Sequence, residues 1–469
     1  FGSSRLAPAS GHGRAPAGAA MEEAAARQLQ EEHHARAREL RVDEELLASL
    51  RLPGPVPAKG SGIVRVLQWN ILAQCLSDDG FLVKHVLPGA RENLQETISR
   101  VVEAHESGDD ESLQRIKDEC ASEAAVANHR AVVDWRRRWA RARSMIAVFA
   151  PDIITLQELD RMQEVQVQLE ALGYACGPPG ARYSPNHSNG KQDGAPFHAF
   201  LAELEDSGVA FLPSRPSTGR RLGKKAVEKG LIDDWDDDGV AVFWRRDCFE
   251  LSRVHFVPFA SSWKYLGALQ VDLKRRSDNV ELTVFCAHLA SGKAPKDDAM
   301  REHELCGPTL DRQGEAREQS LCEQFHARSQ KVATIFCMDA NSTPDSHAES
   351  PEKVTPWRAI RRMRGASSVW DGFFDESGNP RAGAPMPLTT NKMRGPLSDQ
   401  PRKIGEHAAG VIDHIFLGGP VTLQRHAWGP MTAESLAQAR LDMLPTLEIP
   451  SDHAPVLVDL LVQGLADAG

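Results

Sequence analysis

Asp452-His453 in IPSDHAPVLVDL and Asp413 in VIDHIFL place carboxylates and an imidazole beside strand-like apolar runs. A carboxylate that accepts from one ring nitrogen fixes the tautomer and leaves the other nitrogen as a general base. Four further segments carry groups that phosphoester cleavage uses: Asn70 in VLQWNILAQ, Glu158 in ITLQELD, His288 in FCAHLASGK, and Asp339 with Asn341 in CMDANSTP. That reaction needs a cation against the developing charge, a base for water, and donors around the phosphate. Hard cations such as Mg²⁺ prefer oxygen ligands, usually one or two carboxylates plus waters. Glu158 and Asn70 offer a carboxylate and an amide oxygen from two strand ends. Asp339 and Asn341 flank one small residue, so an extended strand end turns both to one side, toward a phosphate, a leaving oxygen or a second cation. His288 ends LTVFCA and can donate to a phosphate oxygen; Lys293 and Arg301, which follow it, are placed as substrate contacts by position alone. Each segment also has a plain structural reading: a surface glutamate, a buried satisfied histidine, or an Asx turn at Asn-Ser-Thr-Pro.

The strands that must carry these groups are visible as short apolar or β-branched runs. Strands are expected at Ile63–Trp69, Asp152–Leu156, Val240–Trp244, Leu266–Asp272, Leu282–His288, Val332–Met338, Val411–Leu417 and Val456–Leu461. Helical spacing of Trp135, Trp139, Ile146 and Phe149 predicts a helix over Trp135–Phe149, stopped by Pro151, with its tryptophans packed on a sheet. Arg91–Arg130 is polar and helix-prone, expected to be an insertion poor in core residues, and 177–229 is a second, Gly/Ser/Pro-rich insertion. Polar helical material is expected over Lys296–Arg328 and Ala433–Ala439. Residues 1–20 read as a disordered leader or the tail of a transit peptide, 21–51 as a charged helix, 52–62 as a linker, and 63–469 as the catalytic domain. Asp233, Asp234 and Asp236–Asp238 read as a solvated turn. Strands mixed with helices in one long region predict an α/β sandwich of two mixed sheets, packed face to face and flanked by helices.

The composition sets outer bounds. In 469 residues, 41% are hydrophobic and 26% charged, and no apolar run reaches the roughly 18–20 residues a membrane span needs. A formal net charge of −10 argues against coating nucleic acid by charge alone, while leaving room for a locally basic cleft or a small phosphorylated substrate. Eight scattered cysteines without C-x-x-C spacing read as reduced thiols of an intracellular, cytoplasmic protein, with organelle targeting as an alternative.

On these motifs the chain resembles the endonuclease/exonuclease/phosphatase superfamily, and W-N-I-L-A-Q at Trp69–Gln74 is most similar to its nocturnin and catabolite-repressor deadenylase branch. The resemblance runs from about Val64 to Leu461 and implies a four-layer, deoxyribonuclease I-like α/β sandwich. It implies Mg²⁺, replaceable by Mn²⁺, as one or two ions at Glu158, Asn70 and Asp452, with His453, Asp413, Asp339, Asn341 and His288 as the catalytic set. Asp238-Gly239 resembles the D-G segment before a central strand of that branch. Departures fall at Ala287, Ala290, Met338, Ala340 and Asn391, where substrate bases would be gripped. The activity implied is a deadenylase-like 3′–5′ exoribonuclease acting on RNA 3′ ends and releasing nucleoside 5′-monophosphates. The alternative is removal of the 2′-phosphate of NADP(H) or of another small phosphorylated nucleotide; a silent binding protein is the remote one. No leucine-rich-repeat docking module is expected.

Overall fold

The computed structural model describes residues 56–464 except 78–79, 82–89, 184–196, 215–237, 261–266, 312–314, 318, 348–349, 351–352 and 399–402, together with residues 27, 28 and 31. The expected leader, most of the expected 21–51 helix and the acidic run ahead of Asp238 lie outside the described residues.

Two mixed sheets face each other. The first runs in the order β17 (Val421–Trp428), β19 (Val456–Val462), β1 (Ile63–Asn70), β2 (Ile153–Gln157), β5 (Gly239–Arg245) and β3 (Tyr174–Ala175), with β4 (Phe211–Pro213) also on β5. The second runs β12 (Ser367–Ser368), β16 (Asp413–Gly418), β11 (Ala333–Asp339), β8 (Glu281–His288), β7 (Gly267–Arg275) and β6 (Phe249–Pro258). Three small antiparallel ladders join β9 (Thr309–Leu310) to β10 (Ala316–Arg317), β13 (Met386–Leu388) to β18 (Met431–Ala433), and β14 (Thr390–Met393) to β15 (His407–Gly410). Strands such as IITLQ and ATIFCMD are buried along their whole length, which is why they read as continuous apolar runs.

Both sheets share one plan. A central parallel pair, β1 with β2 and β8 with β11, is flanked by antiparallel neighbours, β19 and β5 or β16 and β7. Parallel strands end side by side, and an antiparallel neighbour begins where they end. The C-termini of four strands and the N-termini of β16 and β19 therefore open at one edge of the sandwich.

Alternation turns Gln68, Asn70, Gln157, Cys286, Asp339 and Asp413 into the space between the sheets, where they bond one another. Phe285, Phe336 and Phe416 face the other way. Phe325 of α8 (Leu321–Ser329) packs 6.2 Å from Phe285, and Trp357 of α9 (Pro356–Arg361) packs 5.8 Å from Phe416. On the other side lies α4 (Trp135–Phe149), with the bounds its spacing predicts; Phe149 meets Trp428 at 5.5 Å. Its stacked tryptophans, centroids 5.6 Å apart, donate to Glu164 (3.0 Å) and Gln168 (2.7 Å) of α5 (Met162–Ala171). Helix, sheet, sheet, helix gives the four layers. Among the described residues no helix is long and apolar enough to cross a membrane.

Four expectations change. The 91–130 insertion is not poor in core residues: α1 (Ala90–Ser107), α2 (Asp110–Cys120) and α3 (Glu123–Val133) bury Val101, Leu113, Ile116 and Val132 against Met393, Ile404, Met443 and Leu447. Within 177–229, α6 (Phe197–Ser207) and β4 form, so part of that stretch joins the first sheet. Of the expected 296–328 helix, α7 (Pro295–Cys306) and α8 form with the β9–β10 ladder between them, and the expected 433–439 helix shortens to α10 (Leu436–Ala439). The edge strands β6 and β17 escape sequence reading because register shifts at Leu251/Arg253, Leu423/Arg425 and His426/Trp428 break their alternation.

The helical insertion meets the β14–β15 hairpin at Gly405, whose φ is +89° and whose position would put a Cβ 2.9 Å from the Val101 carbonyl oxygen. Gly405→Ala is expected to cost about 1–3 kcal/mol in urea unfolding, and a loss under about 0.5 kcal/mol would contradict this close approach.

Candidate active site

Register brings the chemistry together. Asp339 is the Cα partner of His288 on β8 and of Asp413 on β16, so three predicted residues form a row across the second sheet. Asn70 ends β1 beside Gln157, and Glu158 follows with φ +55°. Asn341 has φ +48° two residues beyond Asp339. Two non-glycine residues held in the left-handed region at one mouth mark backbone that the surroundings force.

His453 Nδ1 lies 2.7 Å from Asp413 Oδ2. Its Nε2 lies 3.9 Å from Asp339 Oδ2, and His288 Nε2 is 3.3 Å from the same oxygen. Asp339, Asp413, His288 and His453 are all at most 2% exposed. Burial, and then Asp413, pushes the Asp339 carboxyl up to about 7. Burial alone would lower the His453 imidazole, yet Asp413, Asp452 and Asp339 hold it up at about 10.

Hydrogen bonds fix both partners of the pair. Trp69 Nε1 donates to the His453 carbonyl (2.9 Å), and Trp370 Nε1 donates to the Asp413 carbonyl (3.0 Å). The Ser451 hydroxyl donates to the Asn70 carbonyl (2.7 Å) and accepts from His453 N (3.1 Å). Thr389 Oγ1 accepts from Ile412 N (2.9 Å) and Asp413 N (3.0 Å). Arg138, buried in α4, donates to the carbonyls of Ile71 (2.8 Å) and Pro450 (3.3 Å), tying the end of β1 to the loop that carries His453. Its place in a tryptophan-rich helix was the one sequence signal for it, and Trp69 stood in the W-N-I-L-A-Q segment; Thr389 and Trp370 left none, because their partners are backbone groups distant in sequence.

The remaining predicted residues take varied positions. Asn70 Nδ2 donates to Asp339 Oδ2 (2.8 Å) while its oxygen accepts from Leu72 N (3.0 Å), so the amide holds Asp339 with its donor side. Asn341 N donates to Asp339 Oδ1 (2.9 Å), and its Nδ2 reaches His288 Nε2 (3.0 Å) and the Leu289 carbonyl (2.9 Å). Glu158 is half-buried and accepts from Ala73 N (3.1 Å). The Asp452 carboxylate turns to Lys392 in an ion pair; burial opposes its charge, and Lys392 with His453 still hold it below the usual carboxylate range. Lys293 is exposed and pairs with Glu406 at 2.8 Å. Arg301 is 4% exposed and donates to the carbonyls of Ala290 (2.7 Å) and Gly292 (3.0 Å), bracing the loop after His288.

Among the described residues, two groups have ligand atoms within 4.8 Å of one another: Glu158, His288 and Asp339; and Asp339, Asp413 and His453. The first suits a hard divalent cation, offering two carboxylates, Glu158 and Asp339, the latter raised by burial and then by Asp413. In the second, Asp413 and His453 are already bonded to each other.

No protein-family model matches the chain, and no curated relative does. Among solved structures, the chain is similar to the human nocturnin catalytic domain with bound sulfate (16% identity, 86% of this chain, 94% of that one, TM-score 0.45). It is also similar to ANGEL2, a 2′,3′-cyclic phosphatase (17%, 85% and 95%, TM-score 0.48), and to a humanized D. rerio TDP2 (13%, 85% and 99%, TM-score 0.39).

Below pH 7 a cation at Asp339 must displace a proton, because the folded carboxyl titrates near 7. Added Mg²⁺ is therefore expected to raise the melting temperature more at pH 8 than at pH 6, with the difference lost in Asp339→Asn. An equal shift at both pH values in the wild-type chain would contradict a ligand role for this carboxylate.

Proposed function

We propose that the chain is a cation-dependent phosphoesterase, acting as a 3′–5′ exoribonuclease that releases nucleoside 5′-monophosphates from RNA 3′ ends. The observation that carries the reading is a buried Asp413–His453 pair 3.9 Å from a carboxylate shared with a candidate cation site. Glu158 and Asp339, with His288, would hold Mg²⁺ or Mn²⁺, which supplies counter-charge for the phosphate and polarises it.

His453 Nδ1 is committed to Asp413, so Nε2 is the nitrogen that takes a proton from water. An imidazole held at about 10 is no base near pH 7, so the carboxylate field around it must first be compensated. Asn70 keeps the Asp339 carboxylate turned to the cation site through its amide donor. Asn341, whose Nδ2 lies 3.0 Å from His288 Nε2, positions that imidazole at the cation site. Asp339, raised to about 7 in the cation-free site, would release its proton when the cation binds. Asp452 acts through Lys392, and Lys293 at the rim meets the substrate.

A second reading, removal of the 2′-phosphate of NADP(H), is favoured by the net charge of −10, which repels a long polyanion. Oligo(A), mixed-sequence RNA and NADP(H) are offered in parallel with Mg²⁺. Shortened RNA supports the first reading, and inorganic phosphate from NADP(H) the second. His453→Ala and Glu158→Ala are each expected to lower turnover by about 10²–10⁴-fold. Full activity in either variant would remove its proposed role.

A further inference from the structure

We propose that Gln68 is a positioning residue that holds the Asp413 carboxylate in the orientation presenting His453 to water. This rests on the hydrolytic reading above. Asp413 Oδ2 receives His453 Nδ1 at 2.7 Å, and its other oxygen, Oδ1, receives Gln68 Nε2 at 3.1 Å. The bond crosses from β1 of one sheet to β16 of the other.

The chemistry of the partners fixes which way the Gln68 amide faces. An ionised carboxylate only accepts, so the NH₂ side must point to Asp413. The second N–H goes to Gln157 Oε1 (2.8 Å), and Gln68 Oε1 accepts from Gln157 Nε2 (2.9 Å) and Thr155 Oγ1 (3.0 Å). Both donors and both acceptor positions of the amide are used. A flip would set oxygen against oxygen at Asp413 and again at Gln157. Gln68, Thr155 and Gln157 have no solvent exposure and Asp413 is 1% exposed, so water does not substitute for a lost bond.

Strand geometry accounts for the pairing. Gln68 and Asn70 are two apart on β1, so alternation sends both amides toward the second sheet, where Asp413 and Asp339 are Cα partners. Each opposed carboxylate receives one amide: Asn70 takes Asp339, and Gln68 takes Asp413. Gln68 reaches the reacting atoms only through Asp413 and His453.

Gln68→Met keeps the volume and removes the amide; Gln157→Met cuts the reciprocal amide bonds and leaves the Gln68–Asp413 contact possible. Losing an outer-shell partner of this kind is expected to lower kcat about 10–100-fold with KM changed less than about twofold. The downfield imidazole N–H proton resonance of the His453–Asp413 bond, assigned by its loss in His453→Ala, should shift or broaden in Gln68→Met. Gln157→Met should lower the melting temperature comparably while sparing most of kcat and the resonance. An unchanged resonance with kcat within about twofold of wild type would overturn the proposal, and so would equal losses of kcat in both variants. If the wild-type chain hydrolyses no phosphoester, the resonance still decides on Gln68, separating this failure from that of the hydrolytic reading. Where Gln68→Met does not fold, Gln68→Glu keeps the shape, turns an acceptor to Asp413, and is read by the same resonance.

Discussion

Asp339 and Asp413 are directly opposed on neighbouring strands with almost no access to water, and most of the site can be understood as a response to that repulsion. Two unit charges about 5 Å apart repel by on the order of 3 kcal/mol at the effective dielectric of a protein. A sheet does not retain such a pair without compensation. Here it comes from the facing sheet as amides, from the loop before β19 as the His453 imidazole, and, under the proposed function, from a cation. Burial, and then Asp413, still raises the Asp339 carboxyl to about 7. Under the proposed function, a cation would offset what remains of that repulsion.

The two-sheet plan explains how distant segments share this task. A parallel pair at the centre of each sheet delivers four strand ends to one edge, and the antiparallel β16 and β19 begin there. Asn70, Glu158, His288 and Asp339 follow the first kind of strand end, whereas Asp413 and His453 open or precede the second. Cross-sheet bonds such as Asn70–Asp339 hold the layers in mutual register, so any slip between sheets would disassemble the site. The Arg138 guanidinium performs a similar service outside the sheets, gathering the loops after β1 and before β19.

Central strands and their terminal polar residues were legible in the sequence because each strand is buried on both faces and stops at a chemically distinctive side chain. The α4 helix was legible to its end residues, since Asp134 caps it and Pro151 follows the left-handed Ala150. The supporting bonds were not. Whether Asn70 offers its oxygen or its nitrogen depends on a carboxylate from the other sheet and on the backbone of Leu72. Arg301 read as a substrate contact because it follows His288, yet the helix carrying it turns the guanidinium back onto the loop. The apolar core of the 91–130 insertion was hidden because its partners, Met393, Ile404, Met443 and Leu447, lie far along the chain.

Anomalous scattering from crystals soaked in Mn²⁺ tests the charge argument most directly, because it locates a cation without requiring turnover. One strong peak among Glu158, His288 and Asp339, with the Asp413–His453 bond intact, is the predicted outcome. A cation bound elsewhere, or a mouth that stays free of Mn²⁺ above pH 7, would contradict the idea that two opposed carboxylates organise this site around a metal.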